Sequence, residues 1–331
     1  MTSPDDDVAA ALATMRLASG AVALSPMAGG VSCDVWRVDL PDGPICVKRA
    51  LPKLRVEADW RAPPERSQAE VAWLRLVAGI DPALVPAVLG EDRTRHIFAM
   101  QYLAPEDYPL WKAQLAAGVV DSDFAAQMGT ALARIHAATA GRADIAAQFA
   151  NGDQFHALRL EPYLLYAASK HPDLTPAITA LSDNITNARI ALMQGDISPK
   201  NILFGPHGPV FLDAETACYG DPAFDLAFCL NHLLLKCVWH PQHRQDYLES
   251  FARLKDAYLG RVDWEHADDI EQRTAALLPA LLLARVDGKS PVEYITDERD
   301  KFFVREFARA RVASPTHTLQ QLADDWGGRA Y

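Results

Sequence analysis

Residues 194–213 read Gln194-Gly195-Asp196-Ile197-Ser198-Pro199-Lys200-Asn201-Ile202-Leu203-Phe204-Gly205-Pro206-His207-Gly208-Pro209-Val210-Phe211-Leu212-Asp213. An aspartate is followed five positions later by an asparagine, and a second aspartate closes the stretch. Two short apolar runs, Asn201 to Phe204 and Val210 to Leu212, flank Gly205-Pro206-His207-Gly208, which is a turn signal. The pattern predicts a hairpin with Asn201 at the start of one strand and Asp213 at the end of its partner. Both side chains then lie at one end of the hairpin, within reach of a common ion.

Phosphoryl transfer from a nucleotide needs such parts. A carboxylate must orient or deprotonate the attacking hydroxyl, and oxygen ligands must hold Mg²⁺ against the phosphates. Kinase catalytic loops place the base Asp and a metal-binding Asn at this spacing. Asp196 is the catalytic candidate, and Asn201 and Asp213 are the metal candidates. Glu215, two residues beyond Asp213, shares its side if the segment is extended, and joins them. Taken alone, Asp-x4-Asn is common by chance and also suits an ordinary surface hairpin.

Further features add weight. Upstream, Gly29-Gly30 and Ser32 lie between two segments of strand character. Paired glycines let backbone N–H groups approach a phosphate, although a tight turn uses them equally well. Ile45-Cys46-Val47-Lys48 reads as a strand carrying a lysine. The residues from Glu65 to Val77 form a helix with apolar positions Ala69, Ala72, Trp73, Leu76 and Val77, and Glu70 lies within it. A lysine on the phosphates steadied by a glutamate from the next helix is the functional reading; a solvated edge charge is the plain one. Between them, Leu51 to Pro64 is irregular and holds Lys53, Arg55, Arg61 and Trp60. Trp60 either packs on the protein or covers a ligand. Arg95 to Leu103 reads as a buried strand, broken by Ala104-Pro105. The backbone of Gln101 to Leu103 would face a nucleotide base in the cleft there.

The remainder is mostly helical. A short helix is expected at the other end of the chain, from Val8 to Leu17. Ser122 is the expected cap of a helix closed by Gly141, and His136 within that helix reads as a packed residue. Asp225 opens an apolar helix running to Cys237, where a buried carboxylate would accept backbone N–H bonds from the loop around Asp196. The run Val262 to Glu271 is acidic, which usually marks a solvated helix face. Arg285 ends an apolar helix before Gly288, and a buried arginine wants a partner.

The chain has 331 residues, half of them hydrophobic, and a formal net charge of −11. That balance argues against nucleic acid and anionic membranes as partners. No run has the ~18 apolar residues of a membrane span. The N-terminal residues lack an apolar signal core. The five cysteines include no CxxC pair, so a reducing cytoplasm is expected, with neither zinc nor a disulfide framework. Oligomeric state stays open, a homodimer included.

The ordered set Gly29-Gly30, Lys48, Glu70, Asp196, Asn201 and Asp213 resembles the aminoglycoside phosphotransferase and choline kinase superfamily. Its most specific parts are Gly195-Asp196-x4-Asn201, Leu212-Asp213-x-Glu215 and Asp221-Pro222-x2-Asp225. Val47 to Arg55 with Trp60, and Asp213-Ala214-Glu215 with Tyr219-Gly220, look like 5-methylthioribose kinase. Gln194 stands where these families usually have His, Asn201 follows the wider superfamily, and the expected arginine pair is Arg285 with Val286. The resemblance implies an α+β, protein-kinase-like fold with an N-terminal nucleotide lobe (1–103) and a C-terminal catalytic lobe (104–331). It implies ATP and Mg²⁺, a small-molecule hydroxyl acceptor such as methylthioribose or an analogue, and Trp60 and Arg285 as acceptor contacts. Aminoglycoside or choline kinases, and a nucleotide-binding pseudokinase, are the alternatives.

Overall fold

The structure is a computed structural model that describes residues 4–27, 32–55 and 61–328. Five strands form an antiparallel sheet: β1 (Leu24–Pro26), β2 (Cys33–Leu40), β3 (Gly43–Ala50), β4 (Val88–Asp92) and β5 (Ile97–Gln101), in spatial order β1-β2-β3-β5-β4. Side chains alternate between its faces. Trp36, Val38, Ile45, Val47, Ile97 and Ala99 pack on Val8, Ala11 and Leu12 of the N-terminal helix. Cys46, Phe98 and Met100 join the main core on the other face. Lys48 is two residues from Cys46, so the pleat sends it to that inner face too.

Two expectations for this region shift. The N-terminal helix spans Pro4–Thr14 and stops three residues earlier than expected. Arg16 takes φ +60 and Leu17 N–H bonds back to the Leu12 carbonyl at 2.9 Å, a closure that ends a helix from its own backbone. Strand β4 went unread because it is an edge strand broken by a register shift between Val88 and Gly90.

The helix expected from Glu65 spans Arg66–Ile80, and its buried face is rotated from the expected one. Arg66, Glu70, Val71, Trp73, Leu74 and Val77 are buried, whereas Ala69, Ala72 and Leu76 are only partly so. Two charged residues belong to the inner stripe, so apolar counting misplaced it. Trp73 meets the Phe211 ring edge-on at 6.1 Å and anchors this helix on the hairpin below.

That hairpin is β7 (Ile202–Gly205) with β8 (Gly208–Phe211), and a shorter pair, β6 (Ala191–Met193) with β9 (Cys218–Gly220), stands beside it. Helices make up the rest. Ser122–Thr139 is capped by Asp121, not Ser122: the Asp121 carboxylate accepts the N–H groups of Asp123 and Phe124 at 2.9 and 3.0 Å. Ala223–Trp239 is buried from Ala223 to Val238, as a helix apolar nearly all round must be. Arg244–Leu259 and Ala267–Asp287 enclose it. None of the described helices is long and apolar enough to cross a membrane. All five cysteines are unpaired and buried.

Helix Ser122–Thr139 approaches Arg244–Leu259 so closely that a Cβ on Gly129 would lie 2.2 Å from the Leu254 carbonyl oxygen. Glycine to alanine in a helix interior normally stabilises by about 1 kcal/mol. Here Gly129→Ala should instead destabilise by about 1–3 kcal/mol, because the helices must separate. A urea midpoint at or above that of the wild type would show that the contact is not tight.

Candidate active site

A cleft of about 460 Å³ separates the sheet from the β7–β8 hairpin. Val35, Cys46, Met100, Leu203 and Leu212 make an apolar slot, Lys48, Asn201 and Asp213 its polar end, and Gln101 to Leu103 its rim. The backbone N–H of Leu103 has no partner among the described residues, which suits the edge of a base. Gly29, Gly30 and Trp60 lie outside the described residues. Ser32 is buried, and its carbonyl accepts the Leu51 N–H at 3.0 Å.

Lys48 connects the two sides of the cleft. Its ammonium lies 2.8 Å from both carboxylate oxygens of Glu70 and also contacts Asp213 Oδ1. Burial opposes the Lys48 charge, but Asp213, Cys33 and Glu70 together hold it well above its ordinary value. Burial pushes Glu70 up to about 7 against the pull of Lys48, with the Asp213 charge adding to the rise. Asp213 is the stronger acid of the two. Burial works against its charge, but Lys48 and Lys200 bring it down to about 2. Asp213 has φ +61, a left-handed conformation uncommon outside glycine and asparagine or aspartate. Asp213 and Glu215 therefore do not alternate as an extended strand would have them.

Asp196 is buried beneath this point. Arg159 Nη2 and Lys200 Nζ approach its Oδ2 at 2.9 and 3.0 Å. Among the described residues its Oδ1 receives only the Ser198 hydroxyl, at 3.4 Å, and is the less engaged oxygen. Asn201 donates from Nδ2 to the Asp196 carbonyl at 3.1 Å, which leaves its amide oxygen uncommitted by that bond. The Leu212 N–H bonds the Asn201 carbonyl at 2.9 Å, so Asn201 and Asp213 meet at one end of the hairpin.

The loop is held from below. Asp225 accepts the N–H groups of Gln194 and Gly195 at 2.7 and 2.8 Å. Gln194 donates from Nε2 to the Leu212 and Asp213 carbonyls, and its Oε1 accepts the Asp196 N–H at 2.6 Å. An amide with a donor and an acceptor thus ties the two aspartate segments together directly. Gly195 has φ +82, and a Cβ there would lie 2.7 Å from Thr216 Oγ1. His136 is fully buried, with Nδ1 2.7 Å from the Tyr258 hydroxyl and Nε2 3.4 Å from Asp225, a packed residue in the fold.

Two arginines went unnoticed in the sequence. Arg66 is fully buried; Nε donates to Glu215 at 2.8 Å, Nη1 to the Ala62 and Pro63 carbonyls at 3.0 Å, and Nη2 to the Ser32 and Leu51 carbonyls. It fastens the irregular segment after β3 to Ser32, the residue before β2. The structure thus places Glu215 in an ion pair with Arg66. Arg66 stands one helical turn before Glu70, but each takes its partner from elsewhere in the chain, Glu215 and Lys48, so the i, i+4 spacing points to a pair that does not form. Arg159 sits on a π-helical stretch, His156–Leu165, and the neighbouring Leu158 packs on Leu54 and Ala62. Arg285 is buried in the last turn of its helix and reaches the catalytic region only through the Tyr163 ring, 5.4 Å away. In the acidic run, Glu265 pairs with Arg273 at 2.8 Å and Glu271 accepts the Leu319 N–H.

Among the described residues, no three His, Cys, Asp or Glu side chains converge on a point. The oxygens that could hold a metal here are one carboxylate and one amide oxygen, those of Asp213 and Asn201. Hard oxygens in small number, with phosphates and water completing the shell, fit Mg²⁺.

An N-terminal antiparallel sheet, a larger helical part and this cleft define the protein-kinase-like architecture of small-molecule phosphotransferases. A sequence profile of the phosphotransferase enzyme family (APH) matches residues 23–256, and the chain belongs to that family. Methylthioribose kinase of Pectobacterium carotovorum is 25% identical over 217 residues, covering 58% of this chain and 54% of the relative; that of Cronobacter sakazakii is 26% identical over 224 residues, covering 60% and 55%. The chain spans about half the length of these curated relatives. A choline/ethanolamine kinase family protein from Mesorhizobium loti superposes over 98% of this chain and 99% of its own, with TM-score 0.55 and 17% identity. An amicoumacin kinase solved with AMP-PNP and Ca²⁺ superposes over 90% and 91%, with TM-score 0.54 and 12% identity. At these identities the superpositions show the fold.

Removing the Arg66 side chain strands a buried Glu215 and takes one donor from each of four carbonyls. Arg66→Met should therefore cost about 3–5 kcal/mol, measured by urea unfolding. The double variant Arg66→Met/Glu215→Leu should recover part of that loss. A single variant as stable as the wild type would contradict the ion pair.

Proposed function

We propose that the protein transfers the γ-phosphoryl group of ATP to a hydroxyl of a small molecule, with Mg²⁺ as the metal. The observation that carries this reading is the meeting of Lys48, Glu70 and Asp213 in one ion-paired group at the end of an apolar cleft, with Asn201 and Asp196 beside it. Residues 1–103 supply the nucleotide side and 104–331 the acceptor side. The adenine would lie in the apolar slot against the backbone of Gln101 to Leu103. Lys48, kept in place by Glu70, would exchange its Asp213 contact for phosphate oxygens. Asp213 and Asn201 would hold Mg²⁺, which, when bound with ATP, neutralises charge on the phosphates. Glu215 supports the site through Arg66, and Asp225 shapes the loop through its two backbone bonds.

Asp196 is the group for the acceptor. Arg159 and Lys200 share one of its oxygens, so Oδ1 is free to orient the attacking hydroxyl and take its proton. A sugar-like alcohol is the favoured acceptor. The likeness to methylthioribose kinases supports it, and so do the cations that surround Asp196. A polycationic aminoglycoside would need acidic partners, and Glu265 and Glu271 already serve the fold.

Asp196→Asn should keep ATP affinity and lower turnover by roughly 10²-fold or more, the scale of general-base catalysis. Turnover near the wild-type value would remove Asp196 from the mechanism. Asp213→Ala should abolish the Mg²⁺ dependence of ATP binding in calorimetry, while ATP alone still binds weakly. If Mg²⁺ strengthens ATP binding equally in both proteins, the metal lies elsewhere.

A further inference from the structure

Helix Ala223–Trp239 carries a basic group that phosphoryl transfer does not explain. Lys236 is 1% exposed, and its ammonium has no hydrogen-bond acceptor among the described residues. It rests on two aromatic rings: Nζ lies 4.5 Å from the centroid of Tyr294 and 4.7 Å from that of Trp239, and the rings stack at 4.6 Å. Arg285, on helix Ala267–Asp287, is a second such group. Its Nη1 donates to the Ser290 carbonyl and, at 3.3 Å, to the Tyr163 hydroxyl, while Nε is buried without a hydrogen-bond partner among the described residues. His232 stands one turn before Lys236 on the same helix face, with Nδ1 3.4 Å from the Tyr294 hydroxyl.

Buried charges are ordinarily paired, because an unpaired one works against folding. Here two cations share one region, and neighbouring groups register their field. His232 is held well below its ordinary value by burial, then by Arg285 and Lys236, so its ring is neutral. Burial would raise Tyr163, but Arg285 and Arg159 outweigh it and bring the hydroxyl below its ordinary value. Burial and then Lys112 lower Lys236 to about 8, with the Glu293 carboxylate opposing them.

The region is continuous with the catalytic carboxylate. The Tyr163 ring centroid lies 5.4 Å from the Arg285 guanidinium and 5.9 Å from that of Arg159, which holds Asp196 at 2.9 Å. Trp239 and Tyr294 are half-buried, so the aromatic pair reaches the surface. An aromatic pair of this kind can bind a ligand's ammonium group. In this chain the Lys236 ammonium already occupies it.

We propose that Lys236 and Arg285 form an anion subsite of the acceptor pocket, and that the acceptor is a hydroxylated compound bearing a carboxylate or phosphate remote from the hydroxyl that reacts. This rests on the reading of Asp196 as the transfer centre. Glu293 lies within electrostatic range of both cations, but its carboxylate is bound by Lys112; the anion supplies charge-assisted hydrogen bonds to the Lys236 and Arg285 donors left unpaired. Choline and other ammonium alcohols are repelled by the same two groups.

The test is thermal denaturation of the wild type, Lys236→Met and Arg285→Gln with Mg²⁺·AMP-PNP. Sodium D-gluconate, sodium D-ribose 5-phosphate, D-ribose and choline chloride are added at matched ionic strength. The nucleotide should raise Tm in all three proteins. At least one anion should raise the wild-type Tm further, and the more effective of the two distinguishes carboxylate from phosphate. Ribose and choline should not, and both variants should lose the anion increment. Ligand-free Lys236→Met should be at least as stable as the wild type, since burying an ammonium without a hydrogen-bond acceptor costs more than its two ring contacts return; a purely structural lysine gives the opposite. The proposal is overturned if choline or ribose gives the larger shift, if neither anion shifts the wild type, or if the shift survives in both variants. Absence of a nucleotide shift would instead overturn the kinase reading, and the anion response can still be read on its own.

Discussion

A single ammonium group organises this protein. Lys48 is shared between Glu70, from the helix under the sheet, and Asp213, from the end of the β7–β8 hairpin. Burial works against the charge of a lysine, which carboxylate partners restore, and two buried carboxylates repel each other unless a cation lies between them. The three groups therefore set one another's positions. The pleat of β3 must bring Lys48 to the inner face, and helix Arg66–Ile80 must turn Glu70 inward. Asp213 must adopt a left-handed backbone to reach across. The cleft between sheet and hairpin closes over that contact.

Asp225 and Gln194 impose a second constraint. They hold the loop from Gln194 to Asn201 and the segment after β8 to each other with backbone hydrogen bonds, so the position of Asp196 does not depend on its own charge partners. The left-handed Gly195 packed against Thr216 lets the chain turn where that network demands it.

The sequence was most legible where spacing alone defines geometry. A five-residue interval and a hairpin turn were enough to bring Asn201 and Asp213 to one end of β7–β8, and an alternating strand was enough for Lys48. It was least legible where a polar residue occupies an apolar pattern. Arg66 and Glu70 rotated the buried face of their helix away from the one that apolar counting gives. Arg159 lies on a π-helical stretch with no regular period to read. His232 and Lys236 were hidden in a helix whose apolar neighbours dominate it. Glu215 was expected to share a side with Asp213 if the segment were extended, and nothing in the sequence announced the positive φ of Asp213 that departs from that geometry. For Arg66 and Arg159 the miss is a long-range electrostatic partner, and a single chain of letters does not show which cation will meet which carboxylate.

The central claim is that the Lys48–Asp213 contact of the free protein is the one that Mg²⁺ and the nucleotide phosphates replace. A crystal structure with AMP-PNP and Mn²⁺ in place of Mg²⁺, with the ion located by its anomalous signal, tests it most directly. The account predicts a Mn²⁺ peak at about 2.1–2.3 Å from oxygens of Asp213 and Asn201, with Lys48 still on Glu70 but now on phosphate oxygens. Nucleotide bound in the cleft with the Lys48–Asp213 pair intact and the ion held elsewhere would contradict it.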